Sequence, residues 1–399
     1  MILLSSDKKN NVLKSMMRIL DEKRNAIITE NKKDLEAFGN GDQAMYDRLV
    51  CNDKKVDGMI TSVKEVMEQE DPVGKTIEHR RLDTGLDITN KTAPFGNIMI
   101  IYESRPDVTI EAAVLAFKAN NKIYLKGGKE AINSNKILVE CWHEALKEND
   151  LNTNWIELLH LSRPETQEFL KNPPVQLDLI VPRGGERLIG FVKEYATGAV
   201  LVSGRGNNFL YVAKNADFDT AKKVMLNAKI DKISGCNALD KVLVDVNIPD
   251  YEAKLKELQE MFKENEVSIL VDKDVKKVLG EEEELPSEST WYEEFLAMKI
   301  VIGSIDGLDA AIEKINKYSG GHSASIITTE KGEAIKFMEQ VDSAAVYHNA
   351  STRFTDGGQM GVGAELAIST DKLHHRGPLG LKQLTTNKYY VLGEGHIRE

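Results

Sequence analysis

Apolar residues near the start of the chain fall at helical spacing. Val12, Leu13, Met16, Ile19, Leu20, Ile27 and Ile28 share one face of residues 10–38, with charged side chains opposite. A second amphipathic stretch covers 55–69. The period then shortens to two across Arg81–Phe95, around Thr84-Gly85, which predicts a hairpin. From Asn97 onward apolar runs alternate with helical patterns. Strands are predicted at Asn97–Tyr102, Lys122–Lys126, Trp155–His160, Leu177–Val181 and Ala199–Ser203. Helices between them cover Pro106–Asn120, Lys129–Asn149, Pro164–Lys171 and Glu186–Tyr195. After a helix at Phe218–Ile230 the alternation restarts. Strands Lys241–Val246, Val267–Val271, Lys299–Ile302 and Ala324–Thr328 are interleaved with helices Asp250–Lys263, Leu308–Tyr318 and Lys331–Val341. Such alternation predicts an α/β protein with parallel, doubly wound sheets in two units.

Composition narrows the class of partner. A chain of 399 residues exceeds one ordinary domain, and its net charge of −11 gives no basic face for nucleic acid. Residues 281–289 are the most acidic run and read as a solvated loop. No stretch approaches the roughly 18 apolar residues of a membrane span, and the N-terminus reads as too short for a signal peptide. Cys51, Cys141 and Cys236 form neither a CxxC nor a metal pattern, so a reducing, cytoplasmic setting is expected and no metal site.

Chemistry concentrates in three places. Ser234-Gly-Cys236-Asn237-Ala-Leu-Asp240 joins a helix to a strand. One turn of helix over Asn237–Asp240 would put Cys236 at a helix N-terminus, lowering the thiol pKa and supplying oxyanion donors. Read locally, the same cysteine is equally a small buried residue before a strand. Lys126-Gly127-Gly128-Lys129 and Pro182-Arg183-Gly184-Gly185 are turns at strand ends, where missing Cβ atoms admit phosphate. Neither GxGxxG nor GxxxxGK[ST] occurs, and His322, His348, His374 and His375 lack metal-ligand spacing. The polar, glycine-rich stretch Asn349–Glu365 reads as a loop that closes over something.

Pro94-Phe-Gly-Asn-Ile-Met-Ile-Ile-Tyr-Glu-Ser-Arg-Pro-Asp-Val-Thr109 resembles the glutamate-5-semialdehyde dehydrogenases, or γ-glutamyl phosphate reductases. So do Leu125-Lys-Gly-Gly-Lys-Glu130, Val181-Pro-Arg-Gly-Gly185, Ser234-Gly-Cys-Asn-Ala-Leu239 and the segment Asn349–Pro378. The resemblance implies an aldehyde-dehydrogenase-like fold with a cofactor domain (1–230) and a catalytic domain (231–348). It also implies a hairpin at 80–95 that serves oligomerisation and a C-terminal segment (349–399) returning to the cofactor domain. The implied reaction is NADPH-dependent reduction of L-glutamyl 5-phosphate in proline biosynthesis, by a homo-oligomer, dimer or tetramer. Cys236 would be the nucleophile, and Asn237, Arg353 and Glu365 would bind substrate. Lys126, Gly127, Gly128, Lys129, Gly184, Gly185, Glu294 and Phe295 would hold the cofactor. Lys129 stands where a carboxylate would select NADH, with Glu130 beside it as a competing acid.

The sequence departs from that family at Asp107, where many relatives carry Asn, and at Gly206-Asn-Asn-Phe-Leu210, which replaces a stretch that usually contains Cys-His. Gly235 sits where Thr or Val is commoner. These departures leave two alternatives open: a related enzyme acting on another acyl phosphate or acyl-CoA, or a non-catalytic nucleotide-binding relative.

Overall fold

The stretch predicted as one helix over 10–38 is two. In this computed structural model, which describes residues 2–39 and 43–398, α1 (Ser6–Glu22) and α2 (Arg24–Phe38) are separated by Lys23. Lys23 lies at φ −93°, ψ 9°, the bridge region, so one non-helical residue interrupts the amphipathic pattern without breaking its apolar face. Then come α3 (Gln43–Leu49) and α4 (Asp53–Glu68), the latter capped by Asn52, which accepts from the Lys55 N–H. The predicted hairpin is β1 (Thr76–Arg81) and β2 (Asp87–Pro94), paired antiparallel.

The first α/β run follows in order: β3 (Asn97–Tyr102), α5 (Pro106–Lys118), β4 (Lys122–Lys126), α6 (Ile132–Glu148) and β5 (Ile156–Leu158). α7 (Arg163–Lys171), β6 (Leu179–Arg183) and α8 (Glu186–Tyr195) complete it. The strands form a parallel sheet ordered β5-β4-β3-β6, with Tyr102 opposite Arg183 and Ile101 opposite Lys126. Alternate residues of β3 face opposite cores. Ile98, Ile100 and Tyr102 pack with the helices α1, α4, α5 and α6, while Met99 and Ile101 pack with α7 and α8. That two-sided burial is why β3 reads as a continuous apolar run. Ala199–Ser203, predicted as a strand, makes only one bridge, Val200 to Ile180.

The second run is β7 (Asn208–Val212), α9 (Phe218–Ile230), β8 (Leu239–Asp245), α10 (Tyr251–Glu264), β9 (Ser268–Val271) and α11 (Lys273–Leu279). It continues through β10 (Glu283–Glu284), β11 (Lys299–Ile305), α12 (Gly307–Tyr318), β12 (Ser323–Ile327), α13 (Lys331–Gln340) and β13 (Ala345–His348). All seven strands are parallel, ordered β10-β9-β11-β8-β7-β12-β13. The expected acidic loop at 281–289 contributes the two-residue β10 and buries Glu282, which accepts from Gln259 and pairs with Lys263 at 2.8 Å. Two short strands, β14 (Glu365–Ser369) and β15 (Gly377–Gly380), pair with each other. β16 (Thr385–Leu392) joins β2 to make an antiparallel sheet β1-β2-β16.

Two compact units result. The first comprises Met1–Val202, Gly361–Ala367 and Leu379–Glu399, and the second Ser203–Met360 and Ile368–Pro378. The division after 202 lies ahead of the expected one at 230, because β7 and α9 pack on β8 and bury Leu210, Val212, Ala221 and Met225 there. The C-terminal segment likewise divides, with 349–360 and 368–378 belonging to the second unit.

Candidate active site

In the second unit the expected helical turn over Asn237–Asp240 does not form. Cys236 and Asn237 lie in a turn, Ala238 N donating to Gly235 O at 3.0 Å, and the chain enters β8 at Leu239. Leu239 pairs with Asn208 of β7, so the sheet takes the backbone groups that a helical turn would have used. The thiol therefore has no helix N-terminus beneath it, and the expected lowering of its pKa lacks that source. Side chains shape the turn instead. The buried Asn208 amide donates to Cys236 O at 2.8 Å, Ala238 O at 2.7 Å and Gly206 O at 2.9 Å. A Cβ on Gly206 would fall within contact distance of Cys236 O and 2.5 Å from Glu294 Oε1. Backbone, carboxylate and cysteine turn thus meet at a position where only glycine fits. Cys236 is half-buried. Cys51 and Cys141 are buried, and burial pushes each of their thiols up to about 12.

Asn237 was expected to bind substrate, but its amide is already engaged. It donates to Thr355 O at 2.9 Å and Arg353 O at 3.2 Å, and its Oδ1 accepts from the Arg353 guanidinium. Arg353 also donates to Asp231 at 2.9 Å. These contacts hold the glycine-rich segment against the cysteine turn, with Thr352 Oγ1 donating to Asn237 O at 2.8 Å. Both residues act here as ties.

Glu294 and Phe295 precede β11, and the flanks of Glu294 are anchored by consecutive residues of β8. Asp240 accepts from Phe295 N at 2.9 Å and pairs with buried Lys229 at 3.0 Å. Lys241 Nζ donates to Glu293 O at 2.8 Å and lies 3.8 Å from the Phe295 ring centre. Burial lowers the Lys241 ammonium to about 7. Sequence reasoning passed over Asn208, Asp240 and Lys241. The available signal was two asparagines opening an apolar strand and an Asp-Lys pair inside another. His322 is buried with Nδ1 2.7 Å from Ser323 Oγ, and burial pushes it down to about 4. His348 and His375 bond to backbone carbonyls and His374 is exposed.

In the first unit the residues expected to hold cofactor stand at the carboxyl ends of β4 and β6, either side of β3. Lys126 ends β4 with its Nζ donating to Gly127 O at 2.9 Å, and burial lowers its pKa. Lys129 opens the following turn and is exposed. Glu130 accepts from Ser104 N at 2.9 Å and Ser104 Oγ at 2.7 Å. A Cβ on Gly127 would strike Asn135 and Tyr102, one on Gly128 the Glu130 carboxylate, and one on Gly184 Glu103 and Leu188. The chain's own side chains fill those three spaces, so these glycines are needed for internal packing. Gly185 is different: nothing lies within 4 Å of its Cβ position, and it caps α8. Arg183 turns its guanidinium to the carbonyls of Glu365 and Leu366, so the cation beside this turn is already engaged. Glu365 lies in the first unit and Arg353 in the second. Among the described residues no three His, Cys, Asp or Glu are grouped to hold a metal ion, and no helix is long and apolar enough to cross a membrane.

No family model matches the chain. Curated proteins do: a γ-glutamyl phosphate reductase from Dictyoglomus turgidum is 40% identical over 400 residues, covering 100% of this chain and 95% of that protein. Among solved structures, the γ-glutamyl phosphate reductase of Thermotoga maritima superposes with a TM-score of 0.95 at 41% identity, covering 99% of this chain and 95% of that one. An acetylating aldehyde dehydrogenase from Geobacillus thermoglucosidasius, 16% identical, covers 99% of this chain and 94% of its own with a TM-score of 0.68, a likeness of fold alone. On full-length identity of about this size to several reductases of one name, and on the shared aldehyde-dehydrogenase-like fold, the chain belongs to the γ-glutamyl phosphate reductase family.

Proposed function

We propose that the chain reduces L-glutamyl 5-phosphate to L-glutamate 5-semialdehyde and phosphate, with NADPH as reductant, in the cytoplasm. The observation that carries the chemistry is the contrast among the three thiols: two are buried and hard to ionise, and Cys236 stands half-exposed in a turn clamped by Asn208. Cys236 Sγ, as thiolate, attacks the acyl carbon. The bond from that carbon to the phosphate oxygen breaks, inorganic phosphate leaves, and a thioester remains on the protein. A bound nicotinamide nucleotide supplies hydride to the thioester carbon; the C–S bond then breaks and the thiolate is restored.

The choice of NADPH rests on the turn after β4. Lys126 and Lys129 are cations there, and the neighbouring Glu130 carboxylate is tied to Ser104. A 2′-phosphate therefore meets two cations, with the one nearby acid, Glu130, occupied by donors from Ser104. The open Cβ position of Gly185 at the start of α8 offers a second approach for an anion. Self-association is part of the same reading. β1 is exposed along its length, and β16 leaves Tyr389, Val391 and Leu392 more than half exposed on a three-stranded sheet.

The test is the reverse reaction. Purified protein given glutamate 5-semialdehyde and NADP⁺ should form NADPH beyond about one equivalent per site only when phosphate is present, because phosphate is needed to release the acyl group and free the thiol for another turnover. NADPH formation independent of phosphate would point to a different acyl acceptor. Light scattering on the same sample should give at least a dimer.

A further inference from the structure

A cavity of about 430 Å³ opens in the first unit. Its walls come from α3, the start of α4 and the first turns of α5. They carry Asp47, Asn52, Lys54, Lys55, Asp107 and Glu111. Charges of both signs thus face one space of the size that small-molecule sites occupy. At its base is an ion pair. Lys55 Nζ lies 2.7 Å from Asp107 Oδ2, which Arg105 also reaches at 3.0 Å. Asp107 Oδ1 is buried with no hydrogen-bond partner.

We infer that this cavity takes the zwitterionic end of an α-amino acid, with its ammonium between Asp107 and Glu111 and its carboxylate on Lys54 and Lys55. The first reason is balance. Among the described residues, three carboxylates (Asp47, Asp107, Glu111) and two lysines (Lys54, Lys55) line the space and Arg105 stands behind Asp107, so groups of both signs are offered to a ligand. A dipolar ion gains at both ends. The second reason is unequal exposure. The Asp107 side chain is 9% exposed and fixed by Arg105, whereas the Lys55 side chain is 37% exposed. A ligand carboxylate that draws the Lys55 ammonium outward uncovers Asp107 for the ligand's own ammonium. One internal ion pair is exchanged for two with the ligand, and Asp107 regains a donor of the kind its Oδ1 lacks. Burial alone would push the Asp107 carboxyl up, but Arg105 and Lys55 outweigh it and hold it at about 2, so it stays charged throughout.

The identity of the amino acid rests on the proposed reaction, whose substrate carries such an end. A free amino acid has the same chemistry, and the two sources are separable. Titration calorimetry on the full chain would compare L-glutamate with glutarate, which lacks the ammonium, and 4-aminobutyrate, which lacks the α-carboxylate. L-Glutamate is expected to bind about tenfold or more tightly than either. Lys55→Met and the isosteric Glu111→Gln, checked for unchanged melting temperature, are expected to remove most of that advantage. Equal affinity for the three compounds, no L-glutamate binding, or an advantage that survives both variants overturns the inference. If L-glutamate raises KM for the semialdehyde without lowering kcat, the occupant is the substrate's own amino-acid end. If it changes kcat at saturating semialdehyde, the occupant is a separate amino acid. Binding does not need turnover: a chain that binds L-glutamate yet never forms NADPH counts against the reaction, and one that turns over with a flat titration counts against the cavity.

Discussion

The candidate site residues of the two units stand at opposite ends of the same kind of sheet. In the first, Lys126 and Arg183 end β4 and β6 and Ser104 follows β3, at the carboxyl ends of parallel strands. In the second, Gly206, Cys236 and Glu294 precede β7, β8 and β11, at the amino ends. The end decides what the backbone can offer. A turn that follows a strand feeds a helix, so its N–H groups and the helix dipole favour an anion. A turn that precedes a strand feeds a ladder, and its polarity must come from side chains. This is why Asn208, Asn237 and Arg353 crowd around the cysteine, while the turn after β4 manages with two lysines. The difference extends to rigidity. What stands against Gly206 is the backbone carbonyl of Cys236; what stands against Gly128 is a side chain, the Glu130 carboxylate held by Ser104.

The sharpest break in that comparison is the thiol itself. Cys236→Ser should lower kcat by roughly 10³-fold or more, since a hydroxyl is a poor nucleophile without an adjacent base. Melting temperature and nucleotide affinity should hold. Cys51→Ser should leave kcat nearly unaltered, and a loss equal to that of Cys236→Ser would remove the assignment.

Paired glycine variants test rigidity directly. Gly206→Ala forces its methyl against Cys236 O, which should cost about 1–3 kcal/mol of stability and, by displacing the thiol, about a hundredfold in kcat. Gly128→Ala must move a side chain and not backbone: it displaces the Glu130 carboxylate from its two Ser104 donors, which should cost about 1–3 kcal/mol of stability while kcat changes by less than about threefold. Similar losses of kcat in both would mean the two ends are equally rigid.

Lys129→Glu places a carboxylate where a 2′-phosphate is expected. It should shift the ratio of kcat/KM for NADPH over NADH by about tenfold toward NADH, as a charge contact worth about 1–2 kcal/mol after screening requires. An unmoved ratio takes Lys129 out of the cofactor site.

The smallest effect reports on the anchor of Glu294. Burial lowers the Lys241 ammonium to about 7, so above that pH the folded chain sheds a proton that the unfolded chain retains up to about 10. Stability contributed at this site therefore rises as pH climbs from about 7 to 10, by on the order of 1–3 kcal/mol, and is flat below. Chemical denaturation of the parent chain and Lys241→Met across that range isolates the term: the difference between them should vary with pH only in this window. A constant difference would show Lys241 unperturbed.

Much of the architecture was legible because burial on two faces writes continuous apolar runs, as at Asn97–Tyr102. The hairpin was legible from its period and turn. The break at Lys23 was not, since apolar residues continue at helical spacing through both helices. Asn237–Asp240 was misread for a different reason: the local sequence can wind once, but pairing of Leu239 with β7 decides the matter at long range. The same limit hid the ties. Asn237 to Thr355 and Asn208 to Cys236 join residues 118 and 28 positions apart, and no local pattern encodes them. The cavity was hidden too: Asp107 stood out as a departure from the family motif, but its partner Lys55 lies 52 positions away on a helix that sequence reading treated as plain scaffolding.

β16 carries one more consequence. The sheet it completes joins Asn387 to Asn90, 297 positions earlier. A chain made from its first residue onward has the strands of the hairpin early and must wait for their third partner. At ribosomal speeds of about 5–20 residues per second, the stretch from residue 202 to β16 takes roughly 10–40 s to emerge. During that interval β2 presents an open edge, the kind of surface on which nascent strands of neighbouring chains pair wrongly. The second unit has every strand of its seven-stranded sheet once residue 348 has left the ribosome. Birth order and assembly order therefore differ: the part of the molecule begun first is finished last.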